Sequence, residues 1–254
     1  MGITLRLAPR PRGRLEIGFS AWHAWRMRTK PHSQPPPVGN VKATRSDWIE
    51  LAMATLVWDG VESVRILPLA QKLGVSRSSF YWYFRDRQDL LDQLLSFWRD
   101  KNTKGIVERA RRPAPSIVRS ILNVFECWAD ENVFDPKLDF AVREWARRVP
   151  EVHEAVTQAD DARVEAIRDL YSRFGFSEED AFIRARVLYY MQIGYYVLDV
   201  REPTEVRVSY AAAYLRSFTG EDPSLADLSD FRDFAQQTRP HSVVRNSAVR
   251  ASRK

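Results

Sequence analysis

Between residues 44 and 238 of this 254-residue chain, apolar positions recur at steps of three and four, the spacing of a buried helical stripe. Thr44 stands where a side chain caps a helix, and Asp47 completes a capping box; Ile49, Ala52, Met53 and Leu56 follow at helical spacing before Gly60 ends the segment. Leu90, Leu91, Leu94, Leu95 and Trp98 stripe a helix that starts at Asp86-Arg87-Gln88-Asp89 and runs towards Ala110. Arg111-Arg112-Pro113-Ala114-Pro115 breaks it. Ile117, Ile121, Val124, Phe125 and Trp128 form the next stripe. Asp135-Pro136 gives a cap and a proline at N1 to a helix ending near Val149, and Pro150 restarts the chain towards Phe174 and Gly175. Ser177 and Asp180 have capping-box spacing before a helix carrying Phe182, Val187, Leu188, Tyr190, Met191 and Tyr195 towards Arg201. Pro203 opens another helix, ending at Gly220, and Leu225, Leu228, Phe231 and Phe234 outline a short one after Asp222-Pro223. The pattern predicts an all-α protein.

The most specific stretch is residues 65–87, RILPLAQKLGVSRSSFYWYFRDR. Small Ala70 lets two helices approach, Gly74 supplies a left-handed turn, and Phe80 fills the angle between them, which is a helix-turn-helix signature. Ser76 is a suitable N-cap for the second helix. Arg77, Ser78, Ser79, Tyr81 and Trp82 then lie in its first turns, where base edges and phosphates are reached, while Phe80 and Phe84 face inward at an i, i+4 spacing. A plain helical hairpin with solvated polar residues is the simpler alternative, but it leaves Tyr81, Trp82 and Tyr83 exposed together without a reason. Arg45 and Arg65, near the starts of their helices, are candidate phosphate contacts; the plainer role is that of a solvated arginine.

The run LAQKLGVSRSSFYWYF, with Arg87 and Leu90-Leu91 after it, resembles the DNA-binding domain of the TetR family of bacterial transcriptional regulators over residues 44–95. The resemblance implies an N-terminal three-helix helix-turn-helix domain followed by a C-terminal helical regulatory and dimerisation domain. It also implies a homodimer on a near-palindromic double-stranded operator, most often as a repressor, released by a small-molecule effector in the bacterial cytoplasm. Arg87 falls where the family commonly has a lysine that grips a phosphate from a helix N-terminus. The last two long helices would join the same pair of a second subunit in a four-helix bundle, and Gly194 suits a close crossing there. Tyr189, Tyr190, Tyr195 and Tyr196 lie on nearly all sides of one helix, which favours that dimer over a monomer's buried core helix. The chain departs from the family where Arg65 replaces the usual Ser or Thr and where Leu67 and Pro68 follow it.

Charge divides in keeping with this organisation. Residues 1–40 hold seven Arg/Lys against one acid and residues 41–112 thirteen against nine; residues 113–238 hold fourteen against twenty-three, and the last sixteen residues five against none. A basic front and an acidic rear suit a DNA-binding domain joined to a regulatory one. The expected layout is a Pro/Arg-rich disordered arm over residues 1–43, the DNA-binding domain over 44–95 with a connecting helix to about 110, a ligand-binding and dimerisation domain over 113–238, and a basic disordered tail over 239–254. The arm could add nonspecific affinity or enter a minor groove; otherwise it is a simple tail, or Met27 is the true start.

Catalytic signatures are missing. The four histidines, His23, His32, His153 and His241, stand apart without metal-ligand spacing, no glycine-rich phosphate loop occurs, and the carboxylates fall on amphipathic helices as solvated-face residues. No cofactor, metal or membrane span is expected, and lone Cys127 suits a packed, reduced thiol. A regulatory pocket needs apolar walls, for which Phe125, Trp128, Phe140, Trp145, Tyr171 and Tyr190 are candidates; plain core packing is the simpler role for each. Two other classes stay open: an architectural DNA binder without a ligand, and a helical enzyme.

Overall fold

The computed structural model describes residues 43–238, which fall in one compact unit, Asn40–Pro240. The expected arm before Ala43 and the tail after Thr238 lie outside the described residues. Every regular element among the described residues is helical. The first is α1, Arg45–Asp59, where Thr44 and Asp47 form the expected reciprocal capping box. A short 3₁₀ turn, Val61–Ser63, leads to α2, Ile66–Leu73. Gly74 takes the left-handed conformation (φ 70°), and the Val75 N–H donates back to the Ala70 carbonyl at 3.0 Å, closing α2 in a Schellman-type turn.

Helix α3, Arg87–Trp98, is capped by Asp86, whose carboxylate accepts from the Asp89 N–H at 2.8 Å. The sequence predicts one helix from here to Ala110. The structure instead inserts a π-helical turn, Arg99–Thr103, before α4, Lys104–Arg111. The extra residue in that turn brings both Asn102 and Thr103 into the interior, which an unbroken α-helical register would not do. Asn102 then holds the start of a later helix, at its cap Asp135. Its side-chain nitrogen donates to the Asp135 carbonyl at 2.9 Å, and its oxygen accepts from the Asp135 N–H at 3.0 Å.

The remainder comprises α5, Ile117–Ala129; α6, Pro136–Ala146; α7, Pro150–Arg173; α8, Glu178–Val197; α9, Thr204–Ser209; α10, Ala211–Thr219; and α11, Leu225–Gln237. Several sequence expectations shift. Helix α6 ends at Ala146 rather than near Val149, and Ser177 caps Asp180 in one direction only, its hydroxyl accepting from that N–H. The single helix expected from Pro203 to Gly220 breaks at Tyr210 into α9 and α10. Ser224, not Asp222, caps α11, in a full box with Asp227.

Two apolar cores organise these elements. The first joins α1, α2 and α3 around fully buried Trp48, Phe80 and Trp98, and it extends to Leu138, Val142 and Trp145 of α6 and Val152, Val156 and Ala159 of α7. The second joins α4, α5, α7, α8, α10 and α11 around Ile121, Ile167, Leu170, Tyr171, Leu188 and Leu215. Helix α7 belongs to both, so its N-terminal half supports the front of the molecule and its C-terminal half the rear.

Candidate nucleic-acid interface and ligand cavity

The segment after Gly74 is presented outward by an aromatic stack beneath it. Phe80 is fully buried, meets Trp48 of α1 edge-on at 5.2 Å between ring centroids, and stacks on Phe84 at 5.0 Å. Residues Arg77–Trp82 form a 3₁₀ helix rather than the expected α-helix, and Ser76 makes no capping hydrogen bond to it. Instead the Ser76 and Ser78 hydroxyls pair at 2.8 Å, and Ser79 donates to the Ser76 carbonyl at 2.9 Å. The tighter 3₁₀ winding leaves Tyr81, Trp82 and Tyr83 consecutively at the surface, with Trp82 84% exposed. Arg77 donates to the Tyr81 hydroxyl at 2.9 Å and lies over its ring, so the two side chains are held together at the surface.

The other candidate cations differ in how free they are. Arg65 is exposed and donates only to the Glu62 carbonyl among the contacts of its side chain (2.8 Å), while Arg45 is hydrogen-bonded to Gln93 of α3 and lies over Phe84. Arg87 is half-buried: its Nε donates to the Val64 carbonyl at 2.6 Å and its Nη2 to the Val61 carbonyl at 2.7 Å. Two of its donors therefore brace the loop before α2, which departs from the free phosphate cation expected at this position. Arg85, not singled out in the sequence, is a further exposed cation beside this segment, with a loose 3.7 Å pairing to Asp89. Only its position two residues before Arg87 could have signalled it.

Behind this surface lies a buried polar junction. Arg163 of α7 is 0% exposed and donates to the Tyr189 hydroxyl at 2.8 Å, the Thr103 hydroxyl at 3.1 Å, Asp139 at 3.2 Å and Asp160 at 3.3 Å. Its guanidinium also lies over the Trp98 ring at 5.2 Å and the Phe134 ring at 5.8 Å. Asp139 additionally accepts from Trp98 Nε1 at 2.9 Å and from Arg143 at 2.7 Å, and Arg143 clasps Asp160 through two bonds of 2.8 and 2.6 Å. Burial alone would raise the Asp139 pKa, but the adjacent Arg163 and Arg143 charges outweigh it and hold the carboxyl below its ordinary value. Asp139 and Glu126, which Arg109, Arg112 and Arg119 surround, thus depart from the expectation that the helical carboxylates are solvated.

A cavity of about 220 Å³ opens between α5, α8, α9, α10, α11 and the start of α6. Of the candidate wall residues Phe125 and Trp128 line it; Met191, Gln192, Tyr195, Tyr196, Arg207 and Phe231 do so without a sequence signal for that role. The other four proposed wall residues lie elsewhere. Trp145 packs in the front core, Tyr171 is fully buried in the rear core, and Phe140 and Tyr190 are exposed, because their faces of α6 and α8 turn away from the cavity. Among the described residues no group of three or more His, Cys, Asp or Glu could hold a metal, and no helix is long and apolar enough to cross a membrane.

An exposed segment on a packed helix-turn-helix, backed by a helical body with its own cavity, is an arrangement suited to meeting DNA. Residues 49–94 match the family described as bacterial regulatory proteins, tetR family. The structure is similar to PfmR, a TetR-family transcriptional regulator from Thermus thermophilus, at a TM-score of 0.54 and 19% identity, over 72% of this chain and 100% of that one. It is also similar to AmtR from Mycobacterium smegmatis, at a TM-score of 0.52 and 19% identity, over 82% and 100%. No curated protein matches by sequence. The family match falls on the front of the molecule, and the chain as a whole has the fold of the TetR-family regulators.

Proposed function

We propose that the chain is a ligand-responsive transcriptional repressor that binds a near-palindromic operator as a homodimer in the bacterial cytoplasm and is released when an effector enters the cavity. In this reading residues 44–95 form the DNA-binding head, joined by the connecting helix to a ligand-binding and dimerisation body over residues 113–238. Arg77, Ser78, Ser79, Tyr81 and Trp82 meet the major groove, with Ser76, Arg45, Arg65 and Arg85 at its phosphate edges and Arg87 bracing the head from within. Support for the dimer comes from α8, where Ile183, Val187, Tyr190 and Val197 are exposed along one stripe and Gly194 has open space above its Cα. An apolar helical stripe facing water is what a second copy would cover.

The observation that carries the effector reading is the stack between cavity and head. Tyr196 lines the cavity and stacks on Phe134 at 5.6 Å; Phe134 lies under Arg163, which in turn lies over Trp98 at the end of α3. A ligand that shifts Tyr196 changes the footing of the helix that carries the recognition segment, by as much as its affinity differs between the two settings. The cavity also favours this reading over an architectural binder, which needs no void. Selection of duplexes from a random pool by the purified protein tests the reading. Enrichment of two inverted half-sites about one helical turn apart is expected; enrichment of a single half-site, or of nothing, contradicts it.

A further inference from the structure

We propose that the cavity takes a small aromatic carboxylate, an inference that deepens the effector reading above and rests on it. The walls offer hydrogen-bond donors that lack acceptors. Trp128 is 7% exposed and Gln192 5%, both line the cavity, and neither the indole Nε1–H nor the Gln192 amide nitrogen has a hydrogen-bond partner. Gln192 sits close enough to the Tyr196 hydroxyl to counter part of the upward push of burial on that phenol, yet its nitrogen finds no acceptor in hydrogen-bonding geometry. A buried donor left unpaired is costly, so two around one void call for an occupant with acceptor oxygens.

Charge selects among such occupants. Arg207 lines the cavity with its guanidinium over the Tyr195 ring at 4.8 Å, and it forms no ion pair with a carboxylate of the described residues. The two acids of the lining are less able to receive a cation. Glu202 already accepts from the Tyr195 hydroxyl, and Glu131 is exposed at the rim. Burial, with the hydrogen bond to Glu202 behind it, pushes the Tyr195 phenol up to about 12. An anion therefore meets a free guanidinium, whereas a cation meets a carboxylate that is already held.

Shape narrows the choice further. Phe125, Trp128, Tyr214 and Phe231 present rings to the void, with Phe125 and Phe231 at 6.0 Å between centroids, walls that suit a flat apolar body. The volume of about 220 Å³ is below the roughly 300–1,000 Å³ of sites for drug-sized ligands, which limits the occupant to one or two rings.

Calorimetric titration of the full chain with 2-naphthoate, 2-naphthamide and 2-naphthylmethylammonium tests the inference. Naphthoate should bind at least about tenfold more tightly than the amide, and the ammonium most weakly. Arg207→Leu should bring naphthoate and naphthamide to within about twofold of each other, and Arg207→Lys should restore part of the preference. Trp128→Phe, which removes only the N–H, should weaken naphthoate several-fold in a protein that melts normally. Preference for the ammonium, an Arg207→Leu variant that discriminates like the wild type, or no binding of any probe at millimolar concentration would overturn the carboxylate. If the amide or the ammonium binds best and still releases operator DNA, only the ligand class falls. If naphthoate binds as predicted without changing operator affinity, the effector reading falls and the carboxylate site stands.

Discussion

The recognition segment and the polar junction behind it use arginine in opposite ways. Arg77 is at the surface, held only by Tyr81, and is available to a partner outside the molecule. Arg163 is wholly enclosed, with two carboxylates, two hydroxyls and two ring faces around it. The surface site leaves hydrogen-bonding capacity for a partner outside the chain, and losing it costs the fold little. The enclosed site is engaged from within through Nε and Nη1, with Nη2 buried and unpartnered, and removing one member strands the rest in a low-dielectric interior. Residues that serve binding and residues that serve coupling are therefore separable by substitution, although the same front core, with Phe80 and Trp98 in it, touches both.

The largest test of that separation is Arg163→Met. It leaves Asp139 and Asp160 to share Arg143, and it should cost about 3–5 kcal/mol in denaturant unfolding. A loss under about 1 kcal/mol would show that the junction adds nothing beyond packing. Acid titration sharpens the same point. Asp139 has its folded pKa held below the ordinary 3.8, so the stability it contributes is complete above that value and is lost as pH falls through the folded pKa. Asp139→Asn should therefore be less stable at neutral pH and lose less of its remaining stability on acidification; an unchanged acid slope would remove Asp139 from the account.

The surface side of the comparison predicts the reverse profile. Arg77→Ala should flatten discrimination between operator variants by about 1–3 kcal/mol if its fork reads a guanine. Its melting temperature should stay that of the wild type, and unchanged discrimination would reduce Arg77 to a phosphate contact. Trp82→Ala, at a side chain 84% exposed, should alter stability by no more than about 0.5 kcal/mol while weakening DNA binding. At the small end, Thr44→Ala removes one side of the α1 capping box and should cost about 1 kcal/mol. The loss should appear in unfolding and not in operator choice.

These two regions also differ in how legible they are in sequence. Ala70, Gly74, Phe80 and Phe84 lie within fifteen residues of one another, and their spacing alone is enough to indicate helix, left-handed turn and plug. The caps at Thr44, Asp86 and Asp135 are equally local, since each depends on a side chain reaching an N–H two or three residues ahead. The junction is not local. Arg163 meets Thr103 across 60 residues and Tyr189 across 26, and on an amphipathic helix it looks like any solvated arginine. The π-helical turn that sends Asn102 and Thr103 inward has no short sequence signal. The cavity is hidden for a related reason: its walls come from six helices, and which face of α8 turns towards it depends on packing against α7. Hence Tyr195 and Tyr196 line it while Tyr190 does not. The 3₁₀ winding of Arg77–Trp82 likewise has no local signal, although the three consecutive exposed aromatics it creates are legible as a group.

The central claim is that the exposed segment 77–82 is the part that meets DNA. Placing the photo-crosslinker p-benzoylphenylalanine at position 82 or at position 58, both exposed tryptophan sites on the head, compares that segment directly with a surface near Lys137 of α6. Irradiation of the protein on its selected operator should link DNA from position 82 and not from position 58. Crosslinks of equal yield from both positions, or from position 58 alone, would contradict the account.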